Sequence, residues 1–341
     1  MIADAIRSVV DGDDLESDTA AALMDAILEN EMTPAQFGAL VTGLRLKGES
    51  AAEIAGFAAS MSRHALSVDV DSAALVDTCG TGGGRTRWVG VSTAAAFVAA
   101  GAGAVVAKHG NRGVTRPAGS GDVLEQLGVN LMAGPDLAAE ALAEARVAFM
   151  FALAFHPAMR FAGPLRREIG IRTVFNILGP LTNPAGAQRR LLGVGDPALV
   201  PTIAEALRLL EIGRALVVHG HAGVDEISLT GPTRVFDVSG GAVTEYELTP
   251  ADFGLPVVNA SDLETHDAAA VAAATRELLV GRHSGPRRDV VLANASGALV
   301  AAGIASDWRD GVSRASDAIE SGAALACLDR LVEVSNRSDG A

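Results

Sequence analysis

Hydrophobic residues recur at helical spacing in the first 64 residues, in four segments separated by short polar stretches. This pattern predicts four helices in residues 1 to about 64. Two of them have a recognisable beginning, because Thr33 with Gln36 and Ser50 with Glu53 form the Ser/Thr-x-x-Glu/Gln pattern of a capping box. We expect the apolar faces to form an ordinary helical core, with some surface left for a subunit interface.

The pattern changes at about residue 73, where short apolar runs begin to alternate with longer stretches of helical period. The short runs lie at 75–76, 104–107, 146–151, 190–194 and 215–218. They are separated by helical stretches such as 137–145 and 199–211. Strands that alternate with helices are typical of an α/β domain, so the pattern predicts a mainly parallel sheet.

The composition sets the size of the core and narrows the class of protein. The 341 residues are 49% hydrophobic, which is enough for a large core and two unequal domains. The only cysteines, Cys79 and Cys327, are too few for a disulfide framework or a zinc site. The first residues have no secretory pattern, and no apolar run reaches the roughly 18 residues of a membrane span. We therefore expect a soluble, cytoplasmic protein.

The net charge of −14 argues against a nucleic-acid-binding protein, which usually carries a basic surface patch. It also means that an anionic substrate needs a locally basic cleft. The residues that can supply one are Lys108, Arg112, Arg116, Arg166 and Arg172.

Three features suited to anions lie between residues 77 and 120. The first is a glycine cluster, which can take positive φ values and direct N–H groups towards a ligand. Its members are Gly80, Gly82, Gly83 and Gly84. The second is the pair Ser92 and Thr93, which precedes an apolar run and predicts a helix start that attracts anions. The third is the run Lys-His-Gly-Asn-Arg at 108–112, and together the three predict a phosphate-rich ligand.

Two common phosphate motifs do not fit this segment. A P-loop requires Gly-Lys-Ser/Thr at its end, but Arg85 follows Gly84. The dinucleotide-binding fingerprint requires a third glycine where Arg85 stands. The glycine cluster alone is equally compatible with a plain turn, so the prediction depends on the three features together.

An acidic pair, Asp225 and Glu226, follows the predicted strand at 215–218. Carboxylates at the carboxyl end of a strand are well placed to hold Mg²⁺, which prefers oxygen ligands and often binds through few carboxylates plus substrate phosphates. On local sequence alone, a solvated acidic turn is an equally open interpretation.

Segments spread along nearly the whole chain resemble the anthranilate phosphoribosyltransferase family. The shorter ones are Gly-Thr-Gly-Gly at 80–83, Val-Ser-Thr at 91–93, the run 108–112 and Gly-Ser at 119–120. His-Pro-Ala-Met at 156–159, Arg166 and Gly-Val-Asp-Glu at 223–226 continue the series. The long segment GIRTVFNILGPLTNP at 170–184 is the most specific match.

The resemblance implies a fold of the nucleoside phosphorylase/phosphoribosyltransferase class, with a small all-helical domain and a larger α/β domain. The helical domain would comprise residues 1–68 with returning helices near 159–190, and the α/β domain residues 73–158 and 191–334. The active site would lie in the cleft between them. A homodimer formed through the helical part is also implied.

The resemblance further implies a role for individual residues. The donor, phosphoribosyl pyrophosphate, would be bound by Gly80, Thr81, Gly82, Gly83, Ser92, Thr93, Lys108 and Ser120. The acceptor, anthranilate, would be bound by Gly80, His109, Asn111, His156, Arg166 and Pro180. Mg²⁺ would be held by Ser92, Asp225 and Glu226. For His109 and His156, a general base and a structural histidine both stay open, and no catalytic residue is certain.

The activity implied is Mg²⁺-dependent transfer of the phosphoribosyl group to anthranilate, a glycosyltransferase step of tryptophan biosynthesis. Three alternatives are kept: a related transferase with another aromatic or heterocyclic acceptor, a nucleoside phosphorylase, and a non-catalytic nucleic-acid-binding relative. The intact segment 170–184 argues against the second, and the acidic net charge argues against the third.

The chain departs from the family pattern beside the donor motifs. Gly84 stands where the family usually has Asp, and Gly90 where it usually has Asn. Trp88-Val89 and Ala118 are further departures. Either the donor contacts are weakened, so that restoring Asp and Asn improves donor binding, or Arg85 and Arg87 compensate, or the ligand has changed.

Overall fold

The computed structural model describes residues 1–83, 90–113, 118–264 and 267–338. The four helices predicted at the start of the chain are present. They are α1 (Ile2–Asp11), α2 (Ser17–Leu28), α3 (Pro34–Lys47) and α4 (Ala51–Arg63). Both capping boxes are confirmed: Thr33 and Ser50 accept hydrogen bonds from the backbone N–H groups of Gln36 and Glu53, and both N3 side chains bond back.

Five of the seven strands coincide with the predicted apolar runs. They are β1 (Leu75–Gly80), β2 (Val105–Gly110), β3 (Val147–Phe151), β4 (Arg189–Gly193) and β5 (Arg214–Gly220). The strands pair in the order β3-β2-β1-β4-β5, all in parallel. The prediction of a mainly parallel sheet is therefore confirmed.

Two strands at the edge of the sheet were not predicted. β6 (Thr233–Ser239) pairs antiparallel with β5, and β7 (Ala242–Leu248) pairs antiparallel with β6. Gly240 and Gly241 connect them, with φ values of +57° and +77°. Two residues with positive φ are the preferred connection of a β-hairpin.

The remaining helices cover the sheet or join the N-terminal bundle. They are α5 (Val91–Gly101), α6 (Ser120–Gln126), α7 (Pro135–Ala145), α8 (Ala152–Phe155), α9 (Met159–Ile169), α10 (Phe175–Leu178), α11 (Val200–Leu209), α12 (Ala268–Leu279), α13 (Pro286–Ala302), α14 (Trp308–Glu320) and α15 (Ala323–Ser335). Helix α9 contacts α2 and α3, and α10 contacts α4. Strand β4 then begins at Arg189, inside the range 159–190 expected for the returning helices.

The buried apolar residues form two clusters, one on each side of the sheet. One contains the N-terminal helices with α9, α10 and α11, and the other contains α5, α7, α13 and α15. Within the described ranges, no helix is both long and apolar enough to cross a membrane.

The sheet topology fixes where a ligand can bind. β1 lies between β2 and β4, so the chain runs outwards in opposite directions from the β1–β4 pair. In open α/β sheets, ligands bind outside the carboxyl ends of the strands at this point of reversal. In this chain those ends carry Gly80, Gly110, Gly193 and Gly220.

Candidate active site

A cavity of about 760 Å³ lies at the carboxyl ends of these strands, beneath α9 and α10. It brings together nearly all of the residues predicted from the sequence. Its lining includes Gly80, Thr81, Gly82, Ser92, Thr93, Lys108, His109, Asn111, Ser120, His156, Arg166, Pro180, Asp225 and Glu226. Gly83 lies just outside the lining, against the side chain of Arg172. A second cavity, of about 960 Å³, lies beyond the C-terminal end of α5 and contains none of these residues.

The glycine turn, residues 81–83, follows β1 directly. Gly82 and Gly83 have φ values of +62° and +79°, as predicted for a glycine cluster that reverses the chain. The first two N–H groups of the turn bond within the protein: that of Thr81 donates to Gly193 O at 2.9 Å and that of Gly82 to Asp225 Oδ2 at 3.0 Å. The Gly82 N–H, which the glycine cluster was expected to direct towards a ligand, is therefore already bonded to a side chain of the protein. Gly84 lies outside the described residues.

Two glycines let Asp225 approach the turn closely. A Cβ atom on Gly80 would lie 2.9 Å from Asp225 Oδ2, and one on Gly193 would lie 1.7 Å from the Asp225 carbonyl oxygen. Larger residues are therefore excluded at both positions. Sequence reasoning overlooked Gly193, since a single glycine at the end of a strand gives no indication of its partner.

The helix that presents Ser92 and Thr93 begins at Val91, ahead of the two hydroxyl residues that were expected to cap it. Gly90 is the N-cap of α5, with a φ value of +85°, so both hydroxyl residues lie in the first turn rather than ahead of it. Ser92 Oγ lies 3.4 Å from Lys108 Nζ. Thr93 is buried, and its hydroxyl has no hydrogen-bond partner among the described residues. The free N–H groups of this turn remain suited to an anion.

The structure explains why the chain has glycine at position 90. A Cβ atom there would lie 2.4 Å from Val271 Cγ1 of α12. The space that an asparagine side chain would need is filled by a β-branched residue with little rotational freedom. The departures at Gly84, Trp88 and Val89 lie outside the described residues.

Lys108 is almost fully buried, with 3% of its surface exposed. Its ammonium group donates to Thr78 O and lies 3.4 Å from both Thr78 Oγ1 and Ser92 Oγ. Burial lowers the pKa of Lys108, and the nearby Asp77 carboxylate opposes that change. A charged amine thus lies beside the first turn of α5, where both features favour an anion.

Asp77 forms a buried polar layer under the cavity. Its Oδ1 accepts the backbone N–H of His109 at 3.2 Å, and its Oδ2 accepts Asn183 Nδ2 at 2.8 Å. Asn183 Nδ2 also donates to Ala107 O at 2.7 Å. Burial raises the pKa of Asp77, and the positive charges of Lys108 and Arg190 oppose that shift. Sequence reasoning assigned no role to Asp77 or Asn183, although a charged residue inside an apolar strand was a usable signal.

The two histidines predicted for the acceptor site lie together, with ring centroids 5.1 Å apart. His109 Nδ1 lies 2.9 Å from Gly179 O, which can only accept, so Nδ1 carries the proton and Nε2 carries a lone pair. Burial lowers the pKa of His109 to about 4 and that of His156 to about 3. Both rings are therefore neutral at pH 7, and each Nε2 has no partner among the described residues.

Arg166, predicted to bind the acceptor, is one of the arginines that line the cavity. Its guanidinium lies over the Phe175 ring, 5.1 Å from the centroid, and burial lowers its pKa. No carboxylate of the described residues forms an ion pair with it. Pro180 faces it in the cavity lining, with its carbonyl oxygen held by Arg190 at 2.6 Å.

Asn111 and Ser120 meet at the edge of the cavity near β2. The Asn111 carbonyl oxygen accepts the N–H of Gly121 at 3.0 Å and lies 3.4 Å from Ser120 Oγ. Arg112, expected to make the cleft basic, instead forms ion pairs with Asp122 and Glu125. Its charge is thus largely neutralised, whereas Arg116 lies outside the described residues.

Asp225 and Glu226 are buried and line the same cavity as Ser92, with Asp225 beside Gly80. As predicted, they follow β5, which ends at Gly220, two residues beyond the apolar run, and residues 221–224 connect the strand to them. The described residues contain no group of three or more His, Cys, Asp and Glu side chains that would hold a metal alone. Two carboxylates and a hydroxyl still fit Mg²⁺, which commonly completes its shell with substrate phosphates and water.

Comparison with known proteins gives the same picture over the full length of the chain. A glycosyl transferase family helical bundle domain matches residues 3–65, and a glycosyl transferase family a/b domain matches residues 72–325. The chain is 53% identical to the anthranilate phosphoribosyltransferase of Roseiflexus sp. strain RS-1 over 340 residues, covering 99% of both chains.

Solved structures extend this similarity to the fold. The anthranilate phosphoribosyltransferase of Thermus thermophilus superposes with a TM-score of 0.91 at 42% identity, covering 98% of this chain and 100% of that one. The Saccharomyces cerevisiae enzyme in complex with phosphoribosyl pyrophosphate and Mg gives a TM-score of 0.89 at 27% identity, with 98% and 97% covered. The same yeast enzyme in complex with 4-fluoroanthranilate gives 0.88 at 26% identity, with the same coverage.

We predict that Gly90→Asn destabilises the protein by about 1–3 kcal/mol, the usual cost of overpacking, because of the clash with Val271. Val271→Ala in the same chain should recover part of that loss, which urea denaturation of both single variants and the double variant measures. Gly12→Asn is the matched control, since Gly12 has a φ value of +94° but open space around it. An equal loss in Gly90→Asn and Gly12→Asn, or no coupling to Val271, contradicts the explanation.

We also predict a pH dependence of stability from the two buried histidines. Their folded-state pKa values lie below the usual value of about 6.5. At a pH between the folded-state and the unfolded-state pKa values, the unfolded chain therefore binds more protons than the folded protein. The contribution of the two histidines to the free energy of unfolding is therefore fully present above about pH 6.5. It is lost as the pH falls towards 4, by up to about 1.4 kcal/mol per pH unit for each histidine.

Urea denaturation between pH 7 and 4.5 measures this slope. The double variant His109→Asn with His156→Asn should have a shallower slope than the wild type, whereas the exposed His221→Asn should not change it. Equal slopes in the wild type and the double variant would show that burial of the two rings does not control the effect.

Proposed function

The chain belongs to the anthranilate phosphoribosyltransferase family, and we propose that it transfers the 5-phosphoribosyl group of phosphoribosyl pyrophosphate to the amine of anthranilate. Pyrophosphate is released in the step. One observation carries the proposal: a single cavity joins the acidic pair 225–226 and Lys108 to Arg166, a cation with no ion-pair partner among the described residues. The first group suits a metal-bound pyrophosphate, and Arg166 suits a carboxylate.

The donor side is assigned to the glycine turn, the first turn of α5, Lys108 and Ser120. Ser92, Asp225 and Glu226 would hold Mg²⁺, which supplies positive charge that neutralises the leaving pyrophosphate. Asp225 Oδ2 also accepts the Gly82 N–H, which fixes the carboxylate at the glycine turn. Lys108 adds a positive charge in a buried setting, where it is more effective than in water.

The acceptor side is assigned to Gly80, Asn111, Pro180, Arg166 and the two histidines. In the reaction, the amine nitrogen forms a bond to C1 of the ribose while the bond from C1 to the pyrophosphate oxygen breaks, and the proton that the amine then loses passes to the released pyrophosphate or to solvent. His109 Nε2 can accept a hydrogen bond from the amine and so orient its lone pair. Its pKa of about 4 makes it a weak base, so we assign it to positioning rather than to proton removal. The rate enhancement then comes mainly from holding both substrates in line.

We propose the two-domain division described for the family, with a helical domain of 1–68 plus the helices near 159–190. The α/β domain comprises 73–158 and 191–334. The packing of α9 on α2 and α3 supports this division, as does the change of family domain between residues 65 and 72. The cavity is lined from both parts.

We also propose a homodimer formed through the helical part and a cytoplasmic location. Val10 of α1 and Leu46 of α3 are 67% and 83% exposed, and such apolar residues on adjacent helices favour an interface. Both cysteines are unpaired, which suits a reducing compartment.

A fluorescence assay tests the proposed reaction. The protein, Mg²⁺, phosphoribosyl pyrophosphate and anthranilate are mixed, and loss of anthranilate fluorescence and release of pyrophosphate are followed together. Turnover should require Mg²⁺ and be abolished in Asp225→Asn with Glu226→Gln, because donor charge is then no longer neutralised. The double control Asp18→Asn with Glu31→Gln, which changes two exposed carboxylates, should retain activity. Absence of wild-type turnover with both substrates would favour a different acceptor or a non-catalytic relative.

We predict that Arg166→Ala weakens anthranilate binding by roughly ten- to a hundredfold, the equivalent of about 1.5–3 kcal/mol for a lost charge-assisted contact. Binding of Mg²⁺–pyrophosphate should change little. The anthranilate affinity of Arg166→Lys should lie between those of the wild type and Arg166→Ala, since lysine keeps the charge but not the planar guanidinium. Arg208→Ala, which removes a half-buried arginine of α11 that pairs with Glu205 outside the cavity, is the control. Equal losses for both ligands would exclude a role in reading the carboxylate.

A further inference from the structure

Arg172 connects the segment that forms the acceptor site to the turn that forms the donor site. Arg172 lies between α9 and α10, in the segment 170–184 that continues to Pro180. Its Nη2 donates to the carbonyl oxygen of Thr81 at 3.1 Å. The two residues are 91 positions apart in the chain, so this contact exists only in the folded protein.

The contact is extensive because the guanidinium also lies flat against Gly83. A Cβ atom on Gly83 would lie 2.9 Å from both Cζ and Nη1 of Arg172, and 3.0 Å from Nη2. All three guanidinium atoms are at nearly the same distance, so the plane of the group faces the backbone. A Cβ atom at position 83 would therefore displace the Arg172 guanidinium, and the φ value of +79° separately favours glycine there.

The same turn is also held by the α/β part. Asp225 Oδ2 accepts the Gly82 N–H at 3.0 Å, and Gly193 O accepts the Thr81 N–H at 2.9 Å. The glycine turn thus contacts both the carboxylate proposed to bind the metal and a guanidinium from the acceptor segment. Movement of the acceptor segment must move one of the two groups that hold the turn.

Arg172 is also joined closely to the acceptor site. Phe175, three residues later, begins α10. The Arg166 guanidinium lies over the Phe175 ring, with Cζ 5.1 Å from the ring centroid. Asn176 Oδ1 accepts the backbone N–H of Thr173 at 2.9 Å, so Thr173 is tied to the start of α10 and Arg172 directly precedes it. A carboxylate that binds Arg166 therefore acts on a segment whose position determines that of Arg172.

We propose that Arg172 is a positioning residue that couples the two substrate sites. Resting on the proposed function, the inference is that an occupied acceptor site holds Arg172 on the glycine turn and strengthens binding of the donor's pyrophosphate. By thermodynamic linkage, pyrophosphate strengthens anthranilate binding by the same factor. Arg172 reaches both sites through its backbone and its side chain.

The coupling can be measured with ligands that do not react with each other. Anthranilate is titrated into the protein by fluorescence with and without saturating Mg²⁺–pyrophosphate, and the reverse titration is followed by calorimetry. In the wild type each ligand should tighten the other by roughly fivefold or more, the lower end of ordinary couplings. In Arg172→Ala, each ligand should change the affinity for the other by less than about twofold. Arg172→Lys should recover part of the coupling.

Two results of this experiment would overturn the proposal. One is a wild-type factor of one, and the other is an unchanged factor in Arg172→Ala, because a residue with only a structural role does not alter coupling. The control Arg208→Ala should keep the wild-type factor. If the wild type binds neither ligand, the proposed function fails.

Hydrogen–deuterium exchange without ligands tests whether Arg172 holds the glycine turn, independently of the proposed function. The amides of Thr81 and Gly82 should exchange at least severalfold faster in Arg172→Ala than in the wild type, because one side of the turn is released. Amides of β7, at the far edge of the sheet, should be unaffected. Equal exchange at Thr81 and Gly82 in the two proteins would show that Arg172 does not hold the turn, and would overturn the proposal even if the enzyme is active.

Discussion

The buried carboxylate of Asp77 is the constraint on which the site depends. A fully buried charge is costly unless it is paired and hydrogen-bonded. Here Asp77 on β1 holds the His109 N–H on β2 and the Asn183 amide of the acceptor segment, with Lys108 close by. The carboxylate therefore fixes three parts of the chain relative to one another. Removing it would leave Lys108 in a buried setting without its main compensating charge.

The proposed donor and acceptor sites lie next to this layer, above β1 and β2. Above β1, the glycine turn is placed by Gly193 and Asp225, and close approach is possible because Gly80 and Gly193 have no side chains. Above β2, the His109 ring is oriented by Gly179 O, which keeps its Nε2 lone pair available. Rigid strands thus place both sets of groups, while Arg172 joins them above the sheet.

The sequence predicted those parts of the structure that depend on local pattern. The capping boxes at Thr33 and Ser50 marked helix starts, and apolar runs marked the five parallel strands, because burial on both faces makes such strands continuously hydrophobic. The hairpin β6–β7 was missed since β7 is a partly exposed edge strand with polar residues. The roles of Asp77, Val271 and Arg172 depend on partners more than 30 positions away, which a single sequence does not reveal. The motifs located the cavity, but not which N–H groups of the glycine turn are already bonded.

The most direct test of this account is a crystal structure of the protein with Mg²⁺, pyrophosphate and anthranilate bound together. We expect Mg²⁺ to be coordinated by an oxygen of Asp225 or Glu226 at about 2.0–2.1 Å, with pyrophosphate between the first turn of α5 and Lys108. The anthranilate carboxylate should lie on the Arg166 guanidinium, with the amine directed towards His109. Pyrophosphate bound away from Asp225 and Glu226, or a carboxylate bound away from Arg166, would contradict the assignment of the two sites.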